Sequence, residues 1–260
     1  MPAVLERPTT RAAGWSRRIA SFTVVLFAMA GLGHRFGLID TVSFFWLLGL
    51  VGTLAGAALF CAAFGFMRLW ERGDRGGRDS AAGAIIALAI LSPFLFSSWQ
   101  LVTRPSLTDI STDVVNPPPM PLAAAQRAGA ENAIEQVRPE DAELQLAYYP
   151  GATGRRYEVA PDLVMQAIAR LAGERGWTMR GVPTLAEGES EAVVEMTAYT
   201  TIFAFPVDVA VRVIDEDTAI YVDMRSVSRW GKHDLGDNAR RIESFLAALD
   251  AAVKTDPVAQ

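Results

Sequence analysis

Along the first hundred residues the apolar positions run together instead of alternating. Ser43 to Met67 is an uncharged stretch of 25 residues and Ala81 to Val102 is another of 22. Either is long enough to cross the ~30 Å hydrocarbon core of a bilayer as a helix. A shorter run, Ile19 to Gly33, reaches that length only by borrowing Trp15 to Arg18, where arginines can snorkel, or Phe36 to Ile39. The pattern predicts three transmembrane helices, over residues 15–39, 43–67 and 81–102, preceded by a cytoplasmic tail over 1–14. The first run has a rival reading as a cleaved signal peptide, with Arg17 and Arg18 as its basic region and Ala28-Met29-Ala30 as its cleavage site. Ser16-Arg17-Arg18 shares only its arginine pair with a twin-arginine signal. Pro93 is expected to kink the third helix, with Ser92 placed to compensate locally.

Beyond Val102 the pattern changes twice. Residues 103–121 are polar and end in Asn116-Pro117-Pro118-Pro119-Met120-Pro121, a stiff polyproline-type stretch expected to act as spacer and lid. Leu122 to Val137 is Ala-rich with scattered Glu and predicts a weakly amphipathic helix. Pro161 to Arg175 predicts a better one, with Pro161 in its first turn and Leu163, Ala167 and Leu171 recurring every four residues. From Trp177 the period shortens to two: Ala192, Val194, Met196 and Ala198, then Val207, Val209, Val211 and Val213, then Ile220, Val222 and Met224, each alternating with polar or small residues. These read as half-buried antiparallel strands, the last two joined at Asp215-Glu216-Asp217. Asp234 or Asp237 caps a closing helix with the apolar stripe Ile242, Phe245, Leu246, Leu249 and Val253. The fold class is therefore a membrane-anchored α+β protein: three N-terminal helices, then a domain over 122–255 with a mainly antiparallel sheet packed by helices.

Charge sharpens the division. The 260 residues carry a formal net charge of −5, but the part before Thr103 holds nine arginines against five carboxylates, and the remainder sums to −9. The residues before Ile19 and the Arg68–Arg78 connection each hold four arginines, whereas the connection after the first helix holds only Arg35 and the stretch after the third only Arg104. The excess of positive charge on cytoplasmic connections predicts the C-terminal domain on the periplasmic or outer side of an inner, cytoplasmic membrane. The signal-peptide reading sends that domain to the same side. Trp15, Trp46, Trp70 and Trp99 fall near helix ends, as an interfacial aromatic belt requires. No Asp, Glu, Lys or Arg lies inside the second and third spans, which argues against a transporter or channel. Gly52 and Gly56 form a small-xxx-small pair that serves either packing within the protein or oligomer formation. A single cysteine excludes a disulfide scaffold.

Residues 225–241, RSVSRWGKHDLGDNARR, gather Arg225, Arg229, Lys232, Arg240 and Arg241 against Asp234 and Asp237, a local charge of +3 inside the acidic domain. A strand end meeting a helix start, with Ser226 and Ser228 nearby, can hold a small anion through backbone N–H groups and guanidinium forks. The same residues can equally form an internal latch of arginines and carboxylates, with Asp234 and Asn238 fixing the turn. The pattern Arg-Ser-x-Ser-Arg-x-Gly-x-x-Asp-x-Gly-x-Asn-x-x-Arg-Ile, matched by Arg225, Ser226, Ser228, Arg229, Gly231, Asp234, Gly236, Asn238, Arg241 and Ile242, resembles the C-terminal signature of DUF1499, a domain of unknown function. Leu107 to Asp113 is similar to that family's N-terminal motif, and Tyr149-Pro150 and Phe203-Ala204-Phe205 fall where the family has similar residues. The resemblance runs from about Leu107 to Leu249 and implies that these positions act together; the family supplies no activity to carry over.

Chemistry is sparse elsewhere. Only His34 and His233 exist, so no His-rich metal site can form, and no metal or cofactor is expected. A Ser228–His233–Asp234 triad is disfavoured because adjacent His and Asp side chains rarely align. No phosphate loop, nucleophile elbow or dinucleotide fingerprint occurs, and the acidic domain is a poor nucleic-acid binder. The expectation is an envelope protein that binds a partner protein or small anionic ligand through Arg225, Ser226, Ser228, Arg229, Asp234, Asn238 and Arg241. The alternatives are an envelope hydrolase or transferase using Asp234 with Ser226 or Ser228, and a structural subunit of a membrane complex.

Overall fold

A computed structural model describes residues 8–181 and 190–255. The chain divides into two compact units, residues 1–100 and 101–260. The first is built on three helices, α1 (Arg11–Arg35), α2 (Thr41–Arg72) and α3 (Gly77–Thr103). Among the described residues two helices, α2 and α3, are long and apolar enough to cross a membrane. The third expected span is a helix, but α1 begins at Arg11, ends at Arg35 and includes Arg17 and Arg18, and it falls outside that pair.

Small side chains bring these helices together. Ala20, Ala58 and Ala87, one from each helix, are buried against one another, and the Ser16 hydroxyl donates to the Ala58 carbonyl at 2.9 Å. A Cβ on Gly83 would lie 2.8 Å from the Ser16 carbonyl carbon and 2.9 Å from the Arg17 nitrogen, so α3 approaches the α1 backbone where only glycine fits. Gly52 would meet nothing nearer than the Phe94 ring at 3.9 Å, and Gly56 nothing within 4 Å. The closest glycine-mediated helix contact therefore lies at Gly83, away from the pair singled out by spacing. Pro93 lies inside a continuous α3. It has no N–H for the Ala89 carbonyl one turn back, and the Ser92 hydroxyl donates to that carbonyl at 2.8 Å.

The second unit contains β1 (Asp109–Ser111), α4 (Pro121–Gln126), α5 (Pro139–Tyr148), β2 (Arg155–Tyr157), α6 (Pro161–Glu174), β3 (Thr178–Arg180), β4 (Glu191–Tyr199), β5 (Pro206–Asp215), β6 (Ile220–Ser228) and α7 (Asp237–Thr255). All strand pairs are antiparallel, in the order β1-β6-β5-β4-β3, and β2 pairs with the other end of β6 beside β1. The even positions of β4 and β6 and the odd positions of β5, with α6 and α7, form the main core around Met196, Val209, Val211, Met224, Ile242 and Phe245.

The strands are not half-buried. Their other face carries Glu195, Asp208, Arg212, Asp223 and Arg225, each less than a tenth exposed. It is covered by the segment read from the sequence as spacer and Ala-rich helix. Three residues of that segment form β1, and Thr112 continues the pairing through Thr112 N–H to the Met224 carbonyl. The helix expected over 122–137 stops at Gln126, because the Arg127 side chain turns into the sheet to reach Asp208. Glu195 accepts the first amides of α4, Leu122 N–H at 2.9 Å and Ala123 N–H at 2.6 Å. Helix α5, absent from the sequence reading, places Gln145 against the free edge of β1, where its amide exchanges two hydrogen bonds with the Ser111 backbone.

Replacing Gly83 by Ala should destabilise the helical unit by about 1–3 kcal/mol through overpacking, whereas Gly56→Ala should be close to neutral. Thermal unfolding of the two variants in the same detergent checks this.

Candidate functional site

Strand alternation decides where the motif side chains go. Neighbouring residues of β6 point to opposite faces, so Ser226 and Ser228 turn toward α7 while Arg225 turns to the other side. On the α7 side, the buried Asn238 is the hub. Its Oδ1 accepts from the Ser226 hydroxyl at 2.8 Å and from Arg241 at 2.9 Å, and its amide donates to the Ser228 hydroxyl and the Thr108 carbonyl, both at 3.0 Å. Arg241 is further paired with Asp237.

Asp234 precedes α7 and spends both carboxylate oxygens on backbone, accepting Gly236 N–H at 2.8 Å and Asn238 N–H at 2.9 Å. Burial raises its pKa above the ordinary carboxylate value, and those two hydrogen bonds oppose the rise. Gly231 (φ 83°) and Gly236 (φ 73°) sit in the left-handed region, and a Cβ at Gly236 would also press on the Arg104 guanidinium carbon at 3.1 Å. The His233 Nδ1 accepts from Leu235 N–H at 2.9 Å, which leaves Nε2–H to donate to the Arg104 carbonyl at 3.1 Å.

On the opposite face Arg225 binds Asp109 through two bonds, Nε to Oδ1 at 3.0 Å and Nη2 to Oδ2 at 2.6 Å, and donates to the Glu135 and Pro118 carbonyls. It forms the floor of a groove of about 580 Å³ walled by Val114–Pro117, Pro119–Pro121 and Ile134–Val137. Arg229 goes elsewhere again. With Arg127 and Arg180 it surrounds Asp208, whose side chain is completely buried. Burial alone would raise the Asp208 pKa; the hydrogen bonds from Arg229, Arg180 and Arg127 outweigh it and hold the carboxyl below its ordinary value. Arg212 and Asp223, directly opposite each other across β5 and β6, form a second buried pair, Nε to Oδ1 at 3.0 Å and Nη2 to Oδ2 at 2.5 Å. Burial raises Asp223 above the ordinary carboxylate range against the pull of Arg212.

The cluster read from the sequence thus occupies three separate places, and four of its five cations, Arg225, Arg229, Arg240 and Arg241, are engaged with carboxylates. Lys232 and Arg240 remain exposed. A family model for a protein of unknown function, DUF1499, matches residues 109–249. The chain belongs to the DUF1499 family. No curated protein and no solved structure matches it.

The geometry accounts for the DUF1499 resemblance residue by residue. Ile110 and Tyr149 lie in the main core, Asp109 holds Arg225, and Phe203-Ala204-Phe205 makes the tight β4–β5 turn, with Ala204 at φ 56° and the Thr200 hydroxyl accepting Phe205 N–H. The sequence reading missed Asp208, Arg127, Arg180, Arg212, Asp223 and Glu195. For Glu195, Asp208, Arg212 and Asp223 the signal was present as charged residues alternating with others in strongly β-forming segments; Arg127 follows α4 and Arg180 lies in the three-residue β3, where no such pattern marks them. No hydrogen bond joins Asp234 to Ser226 or Ser228 among the described residues, and no group of three or more His, Cys, Asp or Glu able to hold a metal occurs among them.

Asp208→Asn removes the countercharge shared by Arg127 and Arg180 and leaves Arg229 with Glu131 at 3.7 Å, and should cost about 3–5 kcal/mol of domain stability at neutral pH. Because the folded state depresses the Asp208 pKa, its contribution is present above the unfolded value of about 3.9 and is lost as pH falls through the lower folded value. Urea titrations of the full chain from pH 7 downward should therefore show a shallower acid-side loss in Asp208→Asn than in the parent. Asp223, raised by burial, acts with the opposite sign: its contribution is present below the unfolded value and declines as pH rises through the folded one. In the same assay Asn238→Ala, which strands Ser226, Arg241 and the Thr108 carbonyl, should cost at least ~2 kcal/mol.

Proposed function

We propose that this DUF1499 protein is a multi-pass protein of the inner, cytoplasmic membrane whose C-terminal domain is a non-enzymatic binding module on the periplasmic side, with the family motif acting as its internal latch. The observation that carries the latch is the complete internal use of the motif: Asn238 binds both serines, Asp234 binds two backbone amides, and Arg225, Arg229 and Arg241 are each paired. A serine nucleophile needs a base within hydrogen-bond reach. The two serines instead meet Asn238, which cannot take a proton, and this weighs against a hydrolase or transferase using Asp234.

Membrane anchoring is supported by the length and apolarity of α2 and α3 and by their exposed Phe45, Phe60, Phe66, Leu88, Leu95 and Phe96. The packing of α1 against both, through Ser16 and Ala20, supports retention of the first helix as a third anchor. The binding surface is the Arg225 groove, where Val115 is 91% exposed. With the Arg225 charge already neutralised by Asp109, the groove suits an apolar segment of an envelope protein better than a small anionic ligand.

Three measurements separate this reading from its rivals. A periplasm-active reporter fused after Gln260 should be active; silence would overturn the orientation. Arg225→Ala with Arg229→Ala should lower Tm while leaving membrane insertion intact. Loss of a defined catalytic turnover in Asp234→Ala, with the fold preserved, would instead establish the enzyme. A second reading, a subunit of a membrane complex joined through the Gly52/Gly56 face, is favoured by the open space beside Gly56. It predicts an oligomer in mild detergent that Gly56→Leu dissociates.

A further inference from the structure

At one end of the helical unit, Pro8, Thr9, Thr10, Arg11, Ala12, Phe64, Arg68, Arg72 and Asp74 line a pocket of about 550 Å³. Its wall is fixed by backbone: Thr10 N–H donates to the Arg75 carbonyl and Arg75 N–H to the Pro8 carbonyl, both at 2.9 Å. Thr10 is the N-cap residue of α1, a position where a hydroxyl ordinarily accepts an amide of the first turn. Here the hydroxyl donates to Asp74 Oδ2 at 2.9 Å, and α1 has no side-chain cap. Arg11 and Ala12 of that uncapped first turn line the same space as Arg68 and Arg72. Arg11, Arg68 and Arg72 form no ion pair with a carboxylate among the described residues, so Asp74 is the one countercharge in the lining. Arg68 lies over the Phe64 ring, 5.2 Å from its centroid, which holds that guanidinium at the pocket wall.

The stripe that leads away from this pocket is apolar. Phe60, Phe64, Arg68 and Arg72 succeed one another at intervals of four along α2, so two phenyl rings continue directly into two guanidiniums on neighbouring turns. Phe60 is 73% exposed and Phe64 37%. The dipole at the C-terminus of α2 explains a cation at Arg72, but it does not explain Arg11, which belongs to the opposite kind of helix end.

We infer that this pocket binds the phosphate of an anionic phospholipid, with its acyl chains lying along Phe60 and Phe64. The inference rests on the membrane reading above and adds a specific ligand to it: a cluster of guanidiniums recognises a phosphate oxyanion, and the adjoining phenyl track selects a phosphate that carries hydrocarbon. By the arginine count that sets the orientation, this end faces the cytoplasm, at headgroup depth.

The test uses the full chain in nanodiscs of phosphatidylcholine alone or with phosphatidylglycerol, reading thermal stability and, by native mass spectrometry, the retained lipid. Phosphatidylglycerol should be retained and should raise Tm. Arg68→Gln and Arg72→Gln should each weaken its retention about five-fold, the equivalent of ~1 kcal/mol per basic residue, without reducing incorporation into the discs. Equal stability and retention in both lipid compositions would overturn the site. Stabilisation of the detergent-solubilised chain by inorganic phosphate to the same extent would overturn the lipid in favour of a free anion. Failure of the parent chain to enter discs would overturn the membrane reading itself, a separate and distinguishable result.

Discussion

A single carboxylate, Asp208, holds together three parts of the domain that share no regular structure. Arg127 arrives from the chain after α4, Arg180 from the short edge strand β3, and Arg229 from just beyond β6. Without this partner the largely buried guanidiniums of Arg127 and Arg180 are uncompensated charges, far costlier than the pair, and Arg229 keeps only Glu131 at 3.7 Å. The covering segment, the edge strand and the end of the family motif are consequently interdependent. Little apolar surface is available to do the same job: the hydrophobic cluster beneath the covering segment holds only Met120, Ala123, Ala210 and Val227, with Ile134 and Val193 at its border. On this face charge pairing supplies the register that hydrophobic packing supplies on the other.

Those two faces differ in how far they can be read from sequence. The apolar face announces itself by period: Val207, Val209, Val211 and Val213, or the Ile242–Phe245–Leu246–Leu249 stripe of α7, leave little choice of element or inward side. The opposite face does not, because Asp208, Arg212, Asp223 and Arg225 look the same whether they meet water or one another. Arg212 and Asp223 are eleven positions apart in sequence and become partners only through the β5–β6 register. Helix α5 escaped for a related reason, since the residue it buries is Gln145, whose value lies in finishing an open strand edge. The motif carried a usable signal that was overlooked: in a strand, Arg225 and Ser226 cannot face the same way, so seven residues within one short segment need not form one site.

The helical unit follows a different economy. Alanines and a glycine let its backbones approach, while many of its large side chains, Phe22, Phe45, Phe60 and Phe96 among them, are turned outward, with Phe44, Val51 and Ile90 buried inside. An inside of small residues and an outside of aromatic and branched ones reverses the arrangement of a water-soluble bundle and fits surroundings as apolar as the side chains themselves. Spacing alone drew attention to Gly52 and Gly56; the tight approach falls at Gly83, where a polar Ser16 on the facing helix needs room to reach the Ala58 carbonyl.

The outer side of β6 is covered by two three-residue strands laid end to end, β1 and β2, and the far side of the sheet ends in another three-residue strand, β3. Along this side of β6 the described sheet offers no long unpaired ribbon for a neighbouring molecule to extend. Where copies meet at high local density, that division of the β6 margin into short pieces is a safeguard against edge-to-edge polymerisation, and it lets the domain be crowded without becoming a fibre.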